Sequence, residues 1–77
     1  MATGFVLITT EPGKEHDVRN SLDAIKEVTS RWMLFGEYDL IAKVESDEEY
    51  ILTRVIVEEI RPIAGITDTK TLLGAEI

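Results

Sequence analysis

The chain has 77 residues, which is enough for one small domain, and a lone monomer of this length buries only roughly 60% of the surface that its unfolded form exposes. Eight Lys and Arg against fifteen Asp and Glu give a net charge of −7, which repels a phosphate backbone and argues against autonomous nucleic-acid binding. The sequence has no cysteine, so disulfide bonds, thiolate zinc sites and cysteine nucleophiles are excluded.

Hydropathy predicts no membrane segment. The longest apolar run, residues 4–8, is far shorter than the ~20 residues that a membrane span needs. No basic-then-apolar signal peptide opens the chain. We therefore expect a soluble cytoplasmic protein without a membrane partner.

The first third of the chain predicts a strand and then an amphipathic helix. Residues 3–10 are rich in β-branched side chains and have apolar residues at both parities, which is typical of an inner strand covered on two faces. Pro12 and Gly13 end this strand in a turn. A helix is predicted from Lys14 onward, because its apolar residues recur at helical spacing: Val18, Leu22 and Ile25.

A hairpin is predicted next. β-forming residues fill positions 28–35, the segment 36–39 reads as a turn, and polar and apolar side chains alternate over 39–44. This pattern favours two antiparallel strands joined by a tight turn.

The last third predicts a second helix and a final strand. Ser46 and Glu49 form a capping box at the start of the helix, which Pro62 ends because proline cannot supply an amide proton. Gly65 then opens a strand over residues 66–73.

The predicted order is therefore β-α-β-β-α-β. This order predicts one α+β domain over residues 1–77, a ferredoxin-like sandwich with two helices on one face of a four-stranded antiparallel sheet.

The other face of this sheet has no predicted cover. Neither parity of the first two strands is polar. In the first strand Gly4, Val6 and Ile8 lie opposite Phe5 and Leu7, and in the second Trp32 and Leu34 lie opposite Met33 and Phe35. An exposed apolar sheet face of that size is typical of a partner surface. The simplest partner is a second copy under two-fold symmetry, so we expect a dimer or a larger closed oligomer.

Motifs for catalysis, metals and nucleotides are weak. His16, the single histidine, is predicted on the surface near the start of the first helix, away from any Ser-His-Asp grouping. The acidic cluster 47–49 is explained by helix capping, and the five glycines occur singly, so no phosphate-binding loop can be assembled. We predict no catalytic residue, no metal and no cofactor, and hence no enzyme.

Two segments suit a small ligand. The turn 36–39 combines a glycine, an aromatic ring and two carboxylates that can hold an ammonium group. Thr67, Thr69 and Thr71 place three hydroxyls on one predicted side of the last strand, where they can bond to a carboxylate. From the residues alone, an ordinary hairpin turn and surface threonines remain the simpler explanations.

The sequence resembles the C-terminal effector (RAM) domain of the Lrp/AsnC transcription regulators. Residues 36–44 are similar to the family's glycine-x-aromatic-aspartate turn and the strand after it. Tyr50 in the second helix also matches, and residues 65–71 are similar to the family's glycine, apolar residue and threonine-rich last strand. The resemblance runs from Phe5 to Gly74 with the same order of elements.

The resemblance implies a ferredoxin-like domain that dimerises through its sheets, assembles further into octamers or similar rings, and binds an amino acid at subunit interfaces. The ligand-binding residues that it implies lie in the effector-responsive turn and on the last strand: Gly36, Glu37, Tyr38, Asp39, Thr69, Thr71 and Leu72.

Full-length members of that family carry an N-terminal helix-turn-helix, whereas this sequence begins directly at its first strand. We therefore expect a stand-alone regulatory domain that modulates full-length Lrp/AsnC relatives by mixed assembly, without direct DNA contact.

Two other functions remain open. One is an enzyme of the dimeric α+β barrel type acting on a small molecule, which would need a proton-transfer group on the inner sheet face, while His16 is predicted on a helix. The other is an assembly domain that binds no ligand.

Overall fold

The computed structural model describes residues 1–74, so residues 75–77 of the predicted single domain lie outside the described part. The elements follow the predicted order: β1 (Ala2–Thr10), α1 (Glu15–Asp23), β2 (Val28–Met33), β3 (Leu40–Ser46), α2 (Glu49–Val55), a π-helical segment (Ile56–Ile60) that continues α2, and β4 (Ile66–Leu73). The predicted β-α-β-β-α-β order is confirmed. Over residues 1–74, no helix has both the length and the apolar character that crossing a membrane requires.

The four strands form one antiparallel sheet in the order β2-β3-β1-β4. β1 is an inner strand, as its two apolar faces predict, and it pairs with β3 on one side and β4 on the other. The edges of the sheet are β2 and β4.

Both helices cover the same face of the sheet. Alternate residues of the two inner strands point into the core beneath the helices: Val6, Ile8, Leu40, Ala42 and Val44. The helical stripes that meet them are those predicted from helical spacing: Val18, Leu22, Leu52, Val55, Ile56 and Ile60. Ile25 lies beyond the last residue of α1 and is still buried, because the chain continues in a turn whose Ile25 amide donates to the Leu22 carbonyl.

The end of the second helix is wound more loosely than an α-helix. The Arg61 amide donates to the Ile56 carbonyl, five residues back, at 3.0 Å. Ile56 and Ile60, at the two ends of this π-helical segment, are both buried. Residues four apart lie on the same face of a helix, so both isoleucines face the sheet.

The predicted capping box is wrong. Ser46 is the last residue of β3 and pairs with Ala2 of β1, so sheet pairing holds its backbone in the extended conformation. The helix begins at Glu49, the preceding Glu48 is in the N-cap position, and no side chain bonds to the amides there. The serine is therefore three residues away from the first helical residue, too early in the chain to act as the cap.

The first strand of the hairpin is shorter than predicted. β2 ends at Met33, and the Leu34 amide closes the following loop by donating to the Asp39 carbonyl at 2.9 Å. Phe35, predicted as part of the strand, is fully exposed in this loop.

Candidate functional site

The turn 36–39 lies in the loop that joins β2 to β3. Gly36 has a φ of +146°, which side chains other than glycine's rarely allow, and a Cβ there would meet no atom within 4 Å. The glycine is therefore required by the backbone conformation, and the space beside it is open. Glu37 is exposed, while Tyr38 and Asp39 are half-buried.

Asp39 is fixed to the end of β1 by three hydrogen bonds. Its Oδ2 accepts from the backbone amide of Thr10 at 2.8 Å and from the Thr10 hydroxyl at 3.3 Å. The Asp39 amide itself donates to the Ile8 carbonyl at 2.8 Å. The carboxylate therefore ties the turn to the sheet, as aspartates in turns often do.

The Asp39 carboxylate has no cationic neighbour in the described part of the chain. The ion pairs that residues 1–74 form are Arg31 with Asp23 and Lys43 with Glu45. Over the same residues, no donor bonds to the second oxygen, Oδ1. A half-buried carboxylate with one oxygen unengaged can accept an ammonium group from outside the chain.

The prediction that the three threonines of β4 lie on one side of the strand is wrong. Thr69 pairs with Ile8 and Thr71 pairs with Val6, and directly opposite residues of an antiparallel pair share a face, so both threonines lie on the helix-covered face. The pairing shifts between Thr9 and Thr10, which leaves Thr67 as the extra residue of a bulge. Its hydroxyl bonds to that of Thr9 at 2.9 Å.

Within one chain the predicted site residues lie in three places. Thr69 and Leu40, which follows the turn directly, both pair with Ile8 from opposite sides, so two strand spacings, about 10 Å, separate them. Leu72 pairs with Phe5 and lies on the sheet face away from the helices. One copy of the chain does not bring the turn, the threonines and Leu72 around a single ligand.

Thr71 carries a polar atom without a partner. Its Oγ1 is buried and makes no hydrogen bond within the described residues. A buried hydroxyl without a partner is uncommon, since leaving it unpaired costs about 1–3 kcal/mol.

Two shallow cavities lie elsewhere on the surface. One, of about 310 Å³, runs along the β2 edge and is lined by Asp23 and residues 28–32. The other, of about 410 Å³, lies between the chain start, the end of β3 and Ile51. Neither is lined by a predicted site residue.

The first cavity contains an ion pair between α1 and β2. Arg31 donates to both carboxylate oxygens of Asp23, at 3.0 and 3.2 Å. These hydrogen bonds hold the pKa of the Asp23 carboxyl below its ordinary value, and the same pairing raises the pKa of Arg31.

The sheet face away from the helices is uncovered in a single copy, as predicted. One row across it runs from Trp32 through Ile41 and Leu7, and Phe5 and Leu72 pair beside it. We call these five residues the open face. Trp32 is 49% exposed and Leu72 is 47% exposed, so two large apolar side chains contact water when the chain is alone.

Other chemistry is sparse in the described part of the chain. His16 is exposed on α1, as predicted from the sequence. Within residues 1–74, no three His, Asp or Glu side chains are grouped so that they can hold a metal ion.

Sequence reasoning missed Thr10. This threonine is 9% exposed and is the donor that fixes Asp39, but 29 residues separate the two along the chain. No local pattern indicates such a pairing; only the neighbouring positions of β1 and β3 in the sheet bring it about.

The sequence profile described as the Lrp/AsnC ligand binding domain matches residues 3–74. An uncharacterized HTH-type transcriptional regulator of Pyrococcus horikoshii is 27% identical over 75 residues, which cover 94% of this chain and 50% of the relative. The chain thus spans about half the length of the curated relatives that it matches.

Solved structures share the fold. FFRP-DM1 is 41% identical, with a TM-score of 0.92, and the match covers 97% of this chain and 100% of that one. The transcriptional regulator NMB0573 of Neisseria meningitidis, solved as a complex with L-Met, has a TM-score of 0.80 at 18% identity over 97% of this chain and 50% of that one. At that identity the likeness extends to the fold alone.

Proposed function

The chain belongs to the Lrp/AsnC ligand-binding domain family, and from that membership we propose that it is an amino-acid-binding regulatory module that works as an assembly of several copies. The proposed site is centred on the turn 36–39 and is completed by Thr69, Thr71 and Leu72.

The observation that supports this proposal most is that the Asp39 carboxylate is held in place but has no cationic partner among residues 1–74. Its carboxylate is half-buried and fixed by Thr10, yet no cation among residues 1–74 neutralises it. An α-amino acid brings an ammonium group that fits such a carboxylate, together with a carboxylate of its own. The threonine hydroxyls of β4 and the backbone amides of the turn are suitable donors for that second group.

The separation of the predicted residues within one chain supports a site between subunits. The end of the turn and Thr69 are about 10 Å apart with β1 between them, whereas one α-amino acid holds its ammonium and carboxylate groups next to each other. A neighbouring copy can supply its β4 residues to the turn of the first. The L-Met complex of a protein with the same fold is in keeping with an amino acid as the ligand.

The proposed assembly buries the open face. Packing it against a second copy removes Trp32, Phe5 and Leu72 from water, and such dimers then associate into a higher oligomer. With a net charge of −7, the chain acts on DNA through partner proteins, and we propose longer Lrp/AsnC regulators in the cytoplasm as those partners.

Calorimetric titration with each of the twenty L-amino acids tests the ligand. With Asp39→Asn, which keeps an oxygen acceptor for Thr10 and removes the charge, we expect the affinity for the tightest-binding amino acid to fall about 10- to 100-fold at nearly unchanged melting temperature. With Asp39→Ala, which strands the Thr10 amide, we expect the same loss of affinity and about 1–3 kcal/mol less stability.

Asp47→Asn is the matched control, because it removes an exposed carboxylate that lies outside the proposed site, in the loop before α2, and that makes no hydrogen bond in the described structure. We expect its affinity to equal that of the wild type. Binding of none of the twenty amino acids would leave a ligand-free assembly domain, and equal affinity of wild type and Asp39→Asn would remove Asp39 from the site.

A further inference from the structure

Resting on the proposed amino-acid site, we propose that Thr10 is a positioning residue, which holds one oxygen of the Asp39 carboxylate and thereby presents the other oxygen to the ammonium group of the ligand. Thr10 does not touch the ligand in this arrangement. It acts by fixing the direction of the side chain that does.

The hydrogen bonds assign different tasks to the two carboxylate oxygens. Both donors of Thr10, its amide at 2.8 Å and its hydroxyl at 3.3 Å, converge on Oδ2. A carboxylate rotates as one planar unit, so two bonds to the same oxygen fix the plane and the position of Oδ1. No donor in residues 1–74 reaches Oδ1, which makes it the acceptor available to a ligand.

Thr10 is itself a rigid support. It is 9% exposed and pairs with Ile66 of β4, so its backbone belongs to the sheet. The next residue, Glu11, donates its amide to the Gly65 carbonyl at 2.8 Å. A carboxylate held by a sheet residue loses less conformational entropy when it binds a ligand than one that moves freely in a loop.

The same end of β1 also touches the start of the threonine-rich strand. The Thr9 hydroxyl bonds to that of Thr67 at 2.9 Å and donates to the Asp68 carbonyl at 3.3 Å. Residues 9–11 therefore contact the turn on one side and the first residues of β4 on the other. Loss of the Thr10 contact should change the turn more than β4, since Thr9 keeps its bonds to β4 and Glu11 keeps its bond to Gly65, just before β4.

Two variants separate the hydroxyl from the shape of the side chain. Thr10→Val keeps the branched shape and the amide but loses the hydroxyl donor, whereas Thr10→Ser keeps the hydroxyl. Thr53→Val is the matched control, because it removes a threonine hydroxyl that donates to the Glu49 carbonyl on α2, outside the site.

Two measurements on these variants test the proposal. The first is hydrogen exchange of the Leu34 and Asp39 amides without ligand, since both bonds depend on the position of Asp39. We expect Thr10→Val to speed this exchange, and Thr10→Ser and Thr53→Val to leave it near the wild-type rate. The second is the affinity for the tightest-binding of the twenty L-amino acids, which we expect to fall about 3- to 10-fold in Thr10→Val alone.

The outcomes distinguish the two proposals. If wild type binds an amino acid and Thr10→Val binds it equally well, the positioning role is overturned and the ligand site stands. If Thr10→Val leaves amide exchange in the turn unchanged, the positioning role is overturned whatever the affinity. If wild type binds no amino acid, the proposed function fails, and the ligand role of Thr10 fails with it.

Discussion

Glycines at two turns of this chain meet different surroundings. Gly65, just before β4, has a φ of +99°, and a Cβ there would lie 3.0 Å from the Lys14 Cβ and 3.2 Å from the Val18 Cγ2. Gly13 has a φ of +84°, but a Cβ there would meet no atom within 4 Å. Backbone strain applies to both positions, and crowding against the start of α1 applies to Gly65 alone.

We therefore expect Gly65→Ala to lower the free energy of unfolding by about 2 kcal/mol or more, through strain and crowding together. Gly13→Ala, the matched control, should cost about 1 kcal/mol through strain alone. Urea denaturation followed by circular dichroism measures both. If the two variants lose the same free energy of unfolding, the side chains of Lys14 and Val18 move aside without destabilising the fold, and crowding at Gly65 contributes nothing.

The Asp23–Arg31 ion pair joins α1 to the edge strand β2. Both side chains are partly exposed, at 49% and 36%, so solvent and salt weaken the attraction. Because Asp23 has a lowered pKa in the folded state, its contribution to stability is complete above its unfolded value, near 3.8, and is lost as the pH falls through the lower folded value.

Asp23→Asn should accordingly lower the melting temperature slightly at pH 7 and in low salt. We expect this difference from wild type to shrink as the pH falls below 3.8 and to shrink also in high salt. Asp47→Asn, an exposed aspartate in the loop before α2, is the control and should leave the melting temperature unchanged. A difference for Asp23→Asn that is as large at pH 2 as at pH 7 would contradict the ion-pair account.

Periodicity predicted the order of the elements and their buried faces, because those depend on residues close together in the sequence. It failed where pairing with a strand distant in sequence determines the conformation of a residue or the face on which it lies. Ser46 is extended because it pairs with Ala2, and Thr67 changes face because the β1–β4 pairing shifts by one residue. In the candidate site, likewise, the turn was predictable from its residue types, whereas the Thr10 support was not.

At the scale of the whole molecule, a single copy leaves the apolar side chains of the open face exposed to water. Trp32 is 49% exposed there, and Phe35 is fully exposed in the neighbouring loop, so neither side chain is needed for the core of one copy. A charge at either position therefore leaves the core of one copy intact and disrupts only contacts between copies.

Light scattering coupled to gel filtration should therefore give a dimer or a larger oligomer for the wild type at micromolar concentration. We expect Trp32→Asp to shift this distribution toward smaller species, because a carboxylate buried in the contact without a partner costs several kcal/mol. Val57→Asp is the control, since Val57 is 45% exposed in the π-helical segment, away from the open face. A stable wild-type monomer at that concentration would overturn the proposed assembly.

The pairing of β1 with β4 also governs how the chain folds. Gly4 lies opposite Leu73 and Ile8 opposite Thr69, so nearly the whole polypeptide separates the partners. Contacts between residues so distant in sequence stabilise the chain only after a long loop has closed, at a cost in conformational entropy. Small domains with many such contacts therefore fold more slowly than helical ones. The hairpin β2–β3, by contrast, joins residues near in sequence. We expect the hairpin to form early and β4 to dock late, so substitutions in β4 should mainly speed unfolding and those in the hairpin mainly slow folding.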